Sequence, residues 1–596
     1  MPGSSPRLRR IAASIALTAA IPVAVAETSQ PLPDPFGGGS PTEIRYVGPG
    51  TGCDHVTIQA AVDAAASGAE IRVVGGSGYG AVDIGDAGSL AIRGGYDDCS
   101  ATASTGQSIL DGGGSATVMD VFTFQDPVTL ELENLTLQNG AGVSLAGGLQ
   151  IEGPAHSVLL RDVRILNNAA NESSGDDTTG HGAGIRIKST AGAQVFLVDT
   201  SQVSDNTAAG DGGGIYCDAT GGTPALVVFG DGAIQGNLAD NGGGVHASNC
   251  EFVSRAGGFL QGIYNNEARF TGGGIYATAG SAIGLLGDAP GVYVDGNPEA
   301  PANLISNTAG GFGGGAYLDE AGTTMVSVDG VISNNSAGGP GGGVFVDFQA
   351  AFEMRRDNGT DCVSFDTALS PPPCSRLENN SATGEGGAVG AAGATVDISQ
   401  TFISGNSTDA DGAVLRLSAT DSILEGNVIH DHSDASLFLV ENSSDLTLGW
   451  STVAGNTPGA GNPIIRARAG SGDNTQLDLY SSIIRQSGGN ILGQETSDGG
   501  LIDIQTADCL ITHELASIPG DTRSQVADPL FRNPAADDYH IGAGSPAIDY
   551  CDDTNSPTRP DMDAQIRGVD EIAGGFRWDV GADELHDALF SDRFES

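Results

Sequence analysis

The chain has little positive charge. Lys188 is its only lysine, and 25 Lys and Arg residues stand against 74 Asp and Glu, so the formal net charge at pH 7 is -49. Proteins that bind nucleic acid or anionic lipid surfaces need basic patches that neutralise phosphate groups. The composition therefore excludes nucleic acid as an expected partner and disfavours an anionic membrane surface.

Long hydrophobic runs are confined to the first residues. Three arginines lie within residues 7–10, an apolar stretch covers 11–25, and small residues occupy the first and last positions of 24–26. This order is typical of a secretory signal peptide with its cleavage site. We expect residues 1–26 to be removed and the protein to be secreted or exposed at the cell surface. We also expect no transmembrane helix in the mature chain.

Helical periodicity is scarce as well. Only residues 57–66 carry apolar side chains at helical spacing, with Thr57 in a position to cap the segment. The absence of this pattern elsewhere argues against helix-pair and leucine-rich repeats. The sequence predicts one short capping helix near the N-terminus.

Glycine is abundant, and it recurs in phase. Ile185, Ile215, Val245 and Ile275 each follow a glycine, in steps of 30 residues. A period of this size indicates a solenoid of stacked units. Looser copies of the pattern continue to about residue 414.

One period, represented by residues 215–235, contains three short apolar runs bounded by Gly, Asp or Asn. Such runs between turn residues predict strands. We predict an all-β fold, a right-handed parallel β-helix in which each period forms one coil with three strands. Each strand would pair with its copy in the next coil, because one coil cannot bury its apolar face alone.

Glycine and asparagine are expected at the corners of the coil. Gly244 is predicted to turn a corner with a positive φ angle. An asparagine precedes most copies of the glycine pattern, and it can form a side-chain ladder along the solenoid. These residues are Asn206, Asn237, Asn266, Asn307, Asn335, Asn380 and Asn406.

Three stretches resemble known families. Residues 57–62, 71–73 and 91–95 resemble the N-terminal cap of right-handed β-helix proteins related to pectate lyases, the pectin lyase-like fold. The Asn-x-Ala…Gly-Gly-Gly/Ala-Ile/Val pattern of residues 206–415 is similar to the repeats of the polymorphic outer-membrane protein family. Segments of residues 528–584 resemble the terminal part of bacterial surface proteins called choice-of-anchor Q. These resemblances imply a bacterial surface protein, and such a protein must be exported.

The expected organisation has six parts. They are a signal peptide (1–26), a linker (27–50), an N-terminal cap with the first coils (51–116), the β-helix coils (117–527), a C-terminal closing segment (528–584) and a tail that is a candidate sorting tag (585–596).

Eight cysteines in an exported chain predict disulfide bonds. Their spacing favours neighbouring pairs, although eight cysteines allow 105 connectivities and the sequence leaves the pairing open. The favoured pairs are Cys53–Cys99, Cys217–Cys250, Cys362–Cys374 and Cys509–Cys551.

One motif suggests catalysis. Asp176 and Asp177, His181, and Arg186 with Lys188 resemble the Asp-Asp, Gly-His-Gly and Arg-Ile-Lys elements of polygalacturonases. In that family the elements lie on different coils and converge by stacking, whereas here they fall within 13 residues. The alternative is a polar loop between strands.

Metal binding has two candidate places. Asp561, Asp563 and Gln565 alternate as ligands do in a calcium loop, which makes calcium a candidate cofactor; the alternative is a solvated acidic turn. His430 and His432 share one strand face but lack a third ligand in the sequence, so we expect surface histidines there.

Two functions remain open. The first is a non-catalytic surface or secreted β-helix that presents loops for adhesion, with glycans or surface proteins as partners. The second is a polysaccharide-degrading enzyme, either a polygalacturonase-like hydrolase or a pectate-lyase-like lyase. No acid–base set converges at a matching phase of adjacent repeats, which favours the first reading.

Overall fold

The computed structural model describes residues 32–585 except 77, 124–125, 143–145, 172–178, 231, 256–260, 287–301, 357–374, 519–522, 553–559, 564–566, 568–570 and 573–574. These residues form a right-handed parallel β-helix, as predicted. The signal peptide, Asp176, Asp177, the Cys362–Cys374 pair and Gln565 lie outside the described residues.

A complete coil passes through four parallel sheets. They are numbered here in the order in which one coil passes through them. Sheet 1 contains Val82–Asp83, Met119–Phe122, Leu149–Gly153, Ile185–Ser189, Ile215–Asp218, Val245–Ser248, Ile275–Thr278, Ala316–Leu318, Val344–Asp347, Val389–Ala392, Leu415–Ser418, Phe438–Glu441, Ile465–Ala469 and Leu492–Thr496. Sheet 2 contains Ile44–Val47, Ala69–Val74, Leu90–Tyr96, Thr129–Glu133, Ser157–Arg161, Gln194–Val198, Ala225–Phe229, Cys250–Ser254, Ala282–Leu286, Thr324–Val328, Ala351–Arg355, Thr395–Ser399, Asp421–Glu425, Asp445–Gly449, Asn474–Tyr480 and Leu501–Asp508. Sheet 3 contains Gly78–Tyr79, Ser108–Asp111, Leu135–Gln138, Arg164–Leu166, Gln202–Ser204, Ala233–Gln235, Gly262–Tyr264, Asn303–Ile305, Val331–Ser333, Arg376–Glu378, Phe402–Ser404, Val428–His430, Thr452–Ala454, Ile483–Arg485, Ile511–Thr512 and Gln525–Val526. Sheet 4 contains Ala141–Gly142, Ala169–Ala170, Thr207–Ala208, Leu238–Asn241, Glu267–Thr271, Thr308–Ala309, Ser336–Ala337, Ser381–Ala382 and Ser407–Thr408.

The period of the sequence sets the register of the strands. Ile185 pairs with Ile215, Ile215 with Val245, and Val245 with Ile275. All four side chains are buried in one core that runs along the solenoid. Sheet 4 was not expected from the sequence. Its strands are short, consist largely of small residues and contain no apolar run that predicts a strand.

The predicted asparagine ladder is present. Asn237 Nδ2 donates to Val203 O at 3.0 Å and to Asn266 Oδ1 at 2.9 Å, and the backbone N–H of Asn237 donates to the same Oδ1 at 3.1 Å. The side chains are fully buried, so each coil supplies the partners that the previous coil needs. The ladder extends from Asn168 to Asn406, and His432 and Asn456 continue it.

The glycine corner differs from the expectation. The positive φ angle lies at Gly242 (+62°), two residues before Gly244. Gly244 is required for a different reason, because a Cβ atom there would lie 2.6 Å from the carbonyl oxygen of Gly274 in the next coil. Close stacking of backbones, and not a left-handed conformation, excludes a side chain at Gly244.

The N-terminal end of the solenoid is covered by a helix. The helix Ile58–Ala64 begins after Thr57, whose Oγ1 accepts a hydrogen bond from Ala60 N at 3.2 Å, and it buries Ile58, Ala61 and Val62 against the first coils. The linker expected over 27–50 is wrong in part: Ile44–Val47 form the edge strand of sheet 2, paired with Ala69–Val74.

The C-terminal segment folds back against the outer face of sheet 3. It contains a 3-10 turn at Pro534–Ala536, the antiparallel pair Phe531–Asn533 and Asp538–Ile541, and a small antiparallel sheet of Cys551–Asp552, Glu571–Ile572 and Gly575–Trp578. Two apolar clusters join it to the coils. In the first, Tyr539, Met562 and Ala582 contact Phe402, Val428 and Ala454.

Three disulfides link neighbouring coils or segments, in the pairing that the spacing favours. They are Cys53–Cys99, Cys217–Cys250 and Cys509–Cys551.

A second helix, Gly85–Ala87, is a single 3-10 turn. In the described part of the chain, no helix has the length and apolar character needed to cross a membrane.

Candidate functional site

Of the predicted catalytic motif, Arg186 and Lys188 lie on the outer face of sheet 1, and Asp176 and Asp177 lie outside the described residues. Ile185 and Ile187 point into the core, so Arg186 and Lys188 point outward from the same strand. Lys188 is exposed, whereas Arg186 is only 7% exposed and lies 3.5 Å from Glu152 Oε2 on the previous coil. His181 precedes the strand, and its Nδ1 accepts a hydrogen bond from Asp211 N at 2.8 Å.

A group of carboxyl side chains accompanies Arg186. Asp120 pairs in register with Gln150, which pairs with Arg186. Burial raises the pKa of Asp120 to about 6, with repulsion from Asp83 and Glu152 adding to the effect and Arg186 opposing it. Asp120 Oδ1 has no hydrogen-bond partner among the described residues. A carboxyl group that retains a proton near neutral pH beside a second carboxylate is a feature of acid–base sites.

Further along sheet 1, one ring per coil stacks on the next. The row consists of His181, Tyr216, His246, Tyr276, Tyr317 and Phe345, with centroid separations of 4.8, 4.9, 5.0, 5.4 and 5.6 Å. The strand register produces this row from Tyr216 onward, because each of these rings occupies the second position of its strand, whereas His181 precedes the strand Ile185–Ser189. Rings stacked in this way present edges and hydroxyl groups outward rather than free faces.

Carboxylates border the row. Tyr276 Oη donates to Asp319 Oδ2 at 3.2 Å, and Tyr317 Oη lies 3.5 Å from Asp347 Oδ2. Burial raises the pKa of Asp319 and of Asp347, and these hydrogen bonds oppose the rise. The edge of the row therefore combines tyrosine hydroxyl donors with carboxylate acceptors on successive coils.

Three exposed phenylalanines lie close in sequence to the last rings of the row, and Phe312 contacts Tyr317 and Phe345. Phe270, Phe312 and Phe348 are 57%, 41% and 65% exposed, and they are the only exposed aromatic side chains of large size in the described ranges. Phe312 stacks on Phe345 at 5.1 Å, and the backbone oxygen of Phe270 accepts a hydrogen bond from Gly311. Phe348 lies directly after Asp347, the last residue of the strand that carries Phe345.

The candidate calcium ligands have structural partners. Asp561 is fully buried, and its two carboxylate oxygens accept hydrogen bonds from Asp563 N at 3.0 Å and Glu584 N at 3.2 Å. Asp563 contacts His540 Nε2 at 3.1 Å. Asp561 therefore supports the turn, while Asp563 belongs to a His–Asp cluster that also includes Asp583.

The two histidines expected at the surface are buried. His432 is 1% exposed and replaces an asparagine in the ladder, between Asn406 and Asn456. His430 is 2% exposed, because the C-terminal segment covers it with Tyr539. Nothing in the local sequence indicated this cover, since Tyr539 lies more than a hundred residues along the chain.

One pocket, with a volume of about 260 Å³, lies beside the later coils. Glu495 is the only carboxylate in its lining, and it is paired with Arg466 and Arg468. Glycosidases use two carboxyl groups across the scissile bond. The described lining of this pocket does not supply the second one.

Comparison with known proteins finds a repeat family and distantly similar solved structures. Residues 200–218 match the family model for the Chlamydia polymorphic membrane protein repeat, in agreement with the resemblance of the glycine-rich coils. The crystal structure of pectate lyase Pel9A aligns with 88% of this chain and 97% of its own chain, at 11% identity and a TM-score of 0.20. No curated protein matches the chain.

Proposed function

We propose that this protein is an exported, non-catalytic surface β-helix that binds glycans or surface proteins through the outer face of sheet 1. The observation that carries the proposal is the exposure of Phe270, Phe312 and Phe348, which lie close in sequence to the last rings of the aromatic row, with Phe312 in contact with Phe345. The polymorphic membrane protein repeat at residues 200–218 supports a role at the cell surface.

The chemistry of this surface suits binding. Exposed aromatic side chains supply large contact areas with few rotatable bonds, and they are enriched in interface cores. Asp319 and Asp347 add acceptors for hydroxyl or amide groups beside Phe312 and Phe348. The stacked coils hold these groups rigidly, so little conformational entropy is lost on binding.

The test is binding of the purified exported chain to arrayed glycans and to intact cells. Replacement of Phe270, Phe312 and Phe348 together with serine is expected to weaken binding at least tenfold. The matched control replaces Leu501 and Val526, which are 63% and 57% exposed far along the solenoid, with serine. Equal binding by the triple variant and the native chain contradicts the proposed surface.

A second candidate function is hydrolysis or elimination on a polysaccharide, favoured by the group of Asp120, Glu152, Arg186 and Lys188. Asp120 would act as the general acid, because its raised pKa keeps a protonated fraction near neutral pH. Glu152 would supply the second carboxylate, and the two cations would hold an acidic sugar.

This candidate is tested by incubating the protein with acidic and neutral polysaccharides, with and without calcium, and measuring new reducing ends or unsaturated products. Turnover that is lost in Asp120→Asn or Asp177→Ala but kept in Asp126→Asn establishes the enzyme and rejects the non-catalytic proposal. Absence of turnover on all substrates, with glycan or cell binding retained, supports the binding function.

A further inference from the structure

His430 occupies an unusual position at the junction of the coils and the C-terminal segment. It ends the strand Val428–His430, and its ring contacts Phe402 at 4.4 Å and Tyr539 at 5.2 Å. Tyr539 belongs to the C-terminal segment, whereas Phe402 belongs to the previous coil. The ring is therefore enclosed between two parts of the chain that are distant in sequence.

Both ring nitrogens of His430 are buried, and Nε2 has no hydrogen-bond partner among the described residues. A buried imidazole with an unpaired nitrogen is unfavourable, and such groups often mark a missing water or ion. Nδ1 points toward two carboxylates, at 3.0 Å from Asp431 Oδ2 and 3.6 Å from Asp537 Oδ1. One ligand atom from each of the three residues lies within 4.8 Å of the others.

We propose that His430, Asp431 and Asp537 bind a zinc ion that fastens the C-terminal segment to the solenoid. One imidazole nitrogen and two carboxylate oxygens are common zinc ligands, and the fourth position of a tetrahedral site can hold water. The carboxylates are partly exposed, so water can reach that position. Asp537 comes from the C-terminal segment, and the other two ligands come from the coil.

The second His–Asp cluster shows the contrasting case. His540 contacts Asp538 through Nδ1 and Asp563 through Nε2, at 2.5 and 3.1 Å. Burial lowers the pKa of His540, but Asp563, Asp583 and Asp538 outweigh it and raise the pKa to about 9. A protonated ring with both nitrogens donating forms an ion pair, so the proposal is restricted to His430.

In the experiment, the full chain is first stripped of metal with EDTA. It is then titrated with ZnCl2, followed by calorimetry, and separately with Co²⁺, followed by visible absorption. The native chain is expected to bind one more equivalent than Asp431→Asn, Asp537→Asn and His430→Gln, and only the native chain should give the absorption of tetrahedral cobalt at this site. Asp431 and Asp537 both have positive φ angles, which asparagine tolerates, so these two variants keep the backbone.

Asp434→Asn is the matched control, since Asp434 is exposed, has a positive φ angle and lies in the same loop. It should bind zinc like the native chain, and zinc should raise the unfolding temperature of both. The proposal is overturned by equal zinc stoichiometry in the native chain and the three ligand variants, or by no saturable zinc binding at all. The second result would assign the cluster to an ion pair of His430 with Asp431.

Discussion

The hydroxyl of Tyr276 donates a hydrogen bond to the carboxylate of Asp319 in the next coil, with 3.2 Å between Oη and Oδ2. The same offset recurs one coil later between Tyr317 and Asp347, at 3.5 Å. Stacking thus converts a repeat in the sequence into a repeated pair on the surface of sheet 1. Because Asp319 is partly buried, its charge depends on the tyrosine donor.

We predict that Tyr276→Phe destabilises the protein by about 1 kcal/mol, since it leaves a buried acceptor with one donor fewer. The effect should disappear in an Asp319→Ala background, which a double-mutant cycle measured by urea unfolding can show. Tyr264→Phe is the control, because the Tyr264 hydroxyl has no hydrogen bond among the described residues. Additive effects of the two substitutions would disprove the coupling.

Removal of one asparagine from the ladder should be more costly. Asn266→Ala removes two donors and one acceptor from a fully buried row, so that Asn237 Nδ2, Asn237 N and Asn307 Oδ1 each lose one hydrogen bond. We expect a loss of about 2–4 kcal/mol, measured as a shift in the urea midpoint. Asn171→Ala, at an exposed asparagine, should change the midpoint little. Similar midpoints for the two variants would show that the ladder does not contribute to stability.

The stacked backbones make Gly244 sensitive to the smallest side chain. A Cβ atom at this position would lie 2.6 Å from Gly274 O, so Gly244→Ala must separate adjacent coils. We predict a destabilisation of about 1–3 kcal/mol. Gly106→Ala, where a Cβ atom meets nothing within 4 Å, is the control. An unchanged unfolding midpoint for Gly244→Ala would mean that the coils can separate freely there.

The stability of the C-terminal segment should depend on pH through His540. The pKa of this histidine is raised from 6.5 to about 9, so its stabilising charge is fully present below pH 6.5 and is lost as the pH rises through 9. His540→Gln should therefore cost on the order of 2 kcal/mol more at pH 6 than at pH 9.5. His55→Gln is the control, because the His55 ring contacts Arg45 instead of a carboxylate. A pH-independent cost of His540→Gln would contradict the ion-pair assignment.

The sequence predicted the parts of the fold that repeat. The phase of Ile185, Ile215 and Val245 fixed which side chains point inward, because strands of adjacent coils pair in register. The asparagine row followed from the same period. Sheet 4 was missed, since two-residue strands such as Ala169–Ala170 have no apolar pattern of their own.

The candidate sites were less accessible to sequence reasoning. The pattern around Arg186 was found, but its partners Glu152 and Asp120 come from earlier coils and carry no motif. The aromatic row was equally hidden, because its residues change identity from histidine to tyrosine to phenylalanine. From Tyr216 onward, only the common position of these residues in their strands unites them.

The period, the core positions, the ladder and the N-terminal cap were determined by the sequence itself, because each depends on neighbouring residues and one repeated spacing. The cover over His430 was decided by tertiary structure alone. It requires the C-terminal segment to fold back on sheet 3 and bring Asp537 and Tyr539 to a histidine on a distant coil. No local propensity encodes such a contact, since its free energy comes from burying the apolar surfaces of two separate segments.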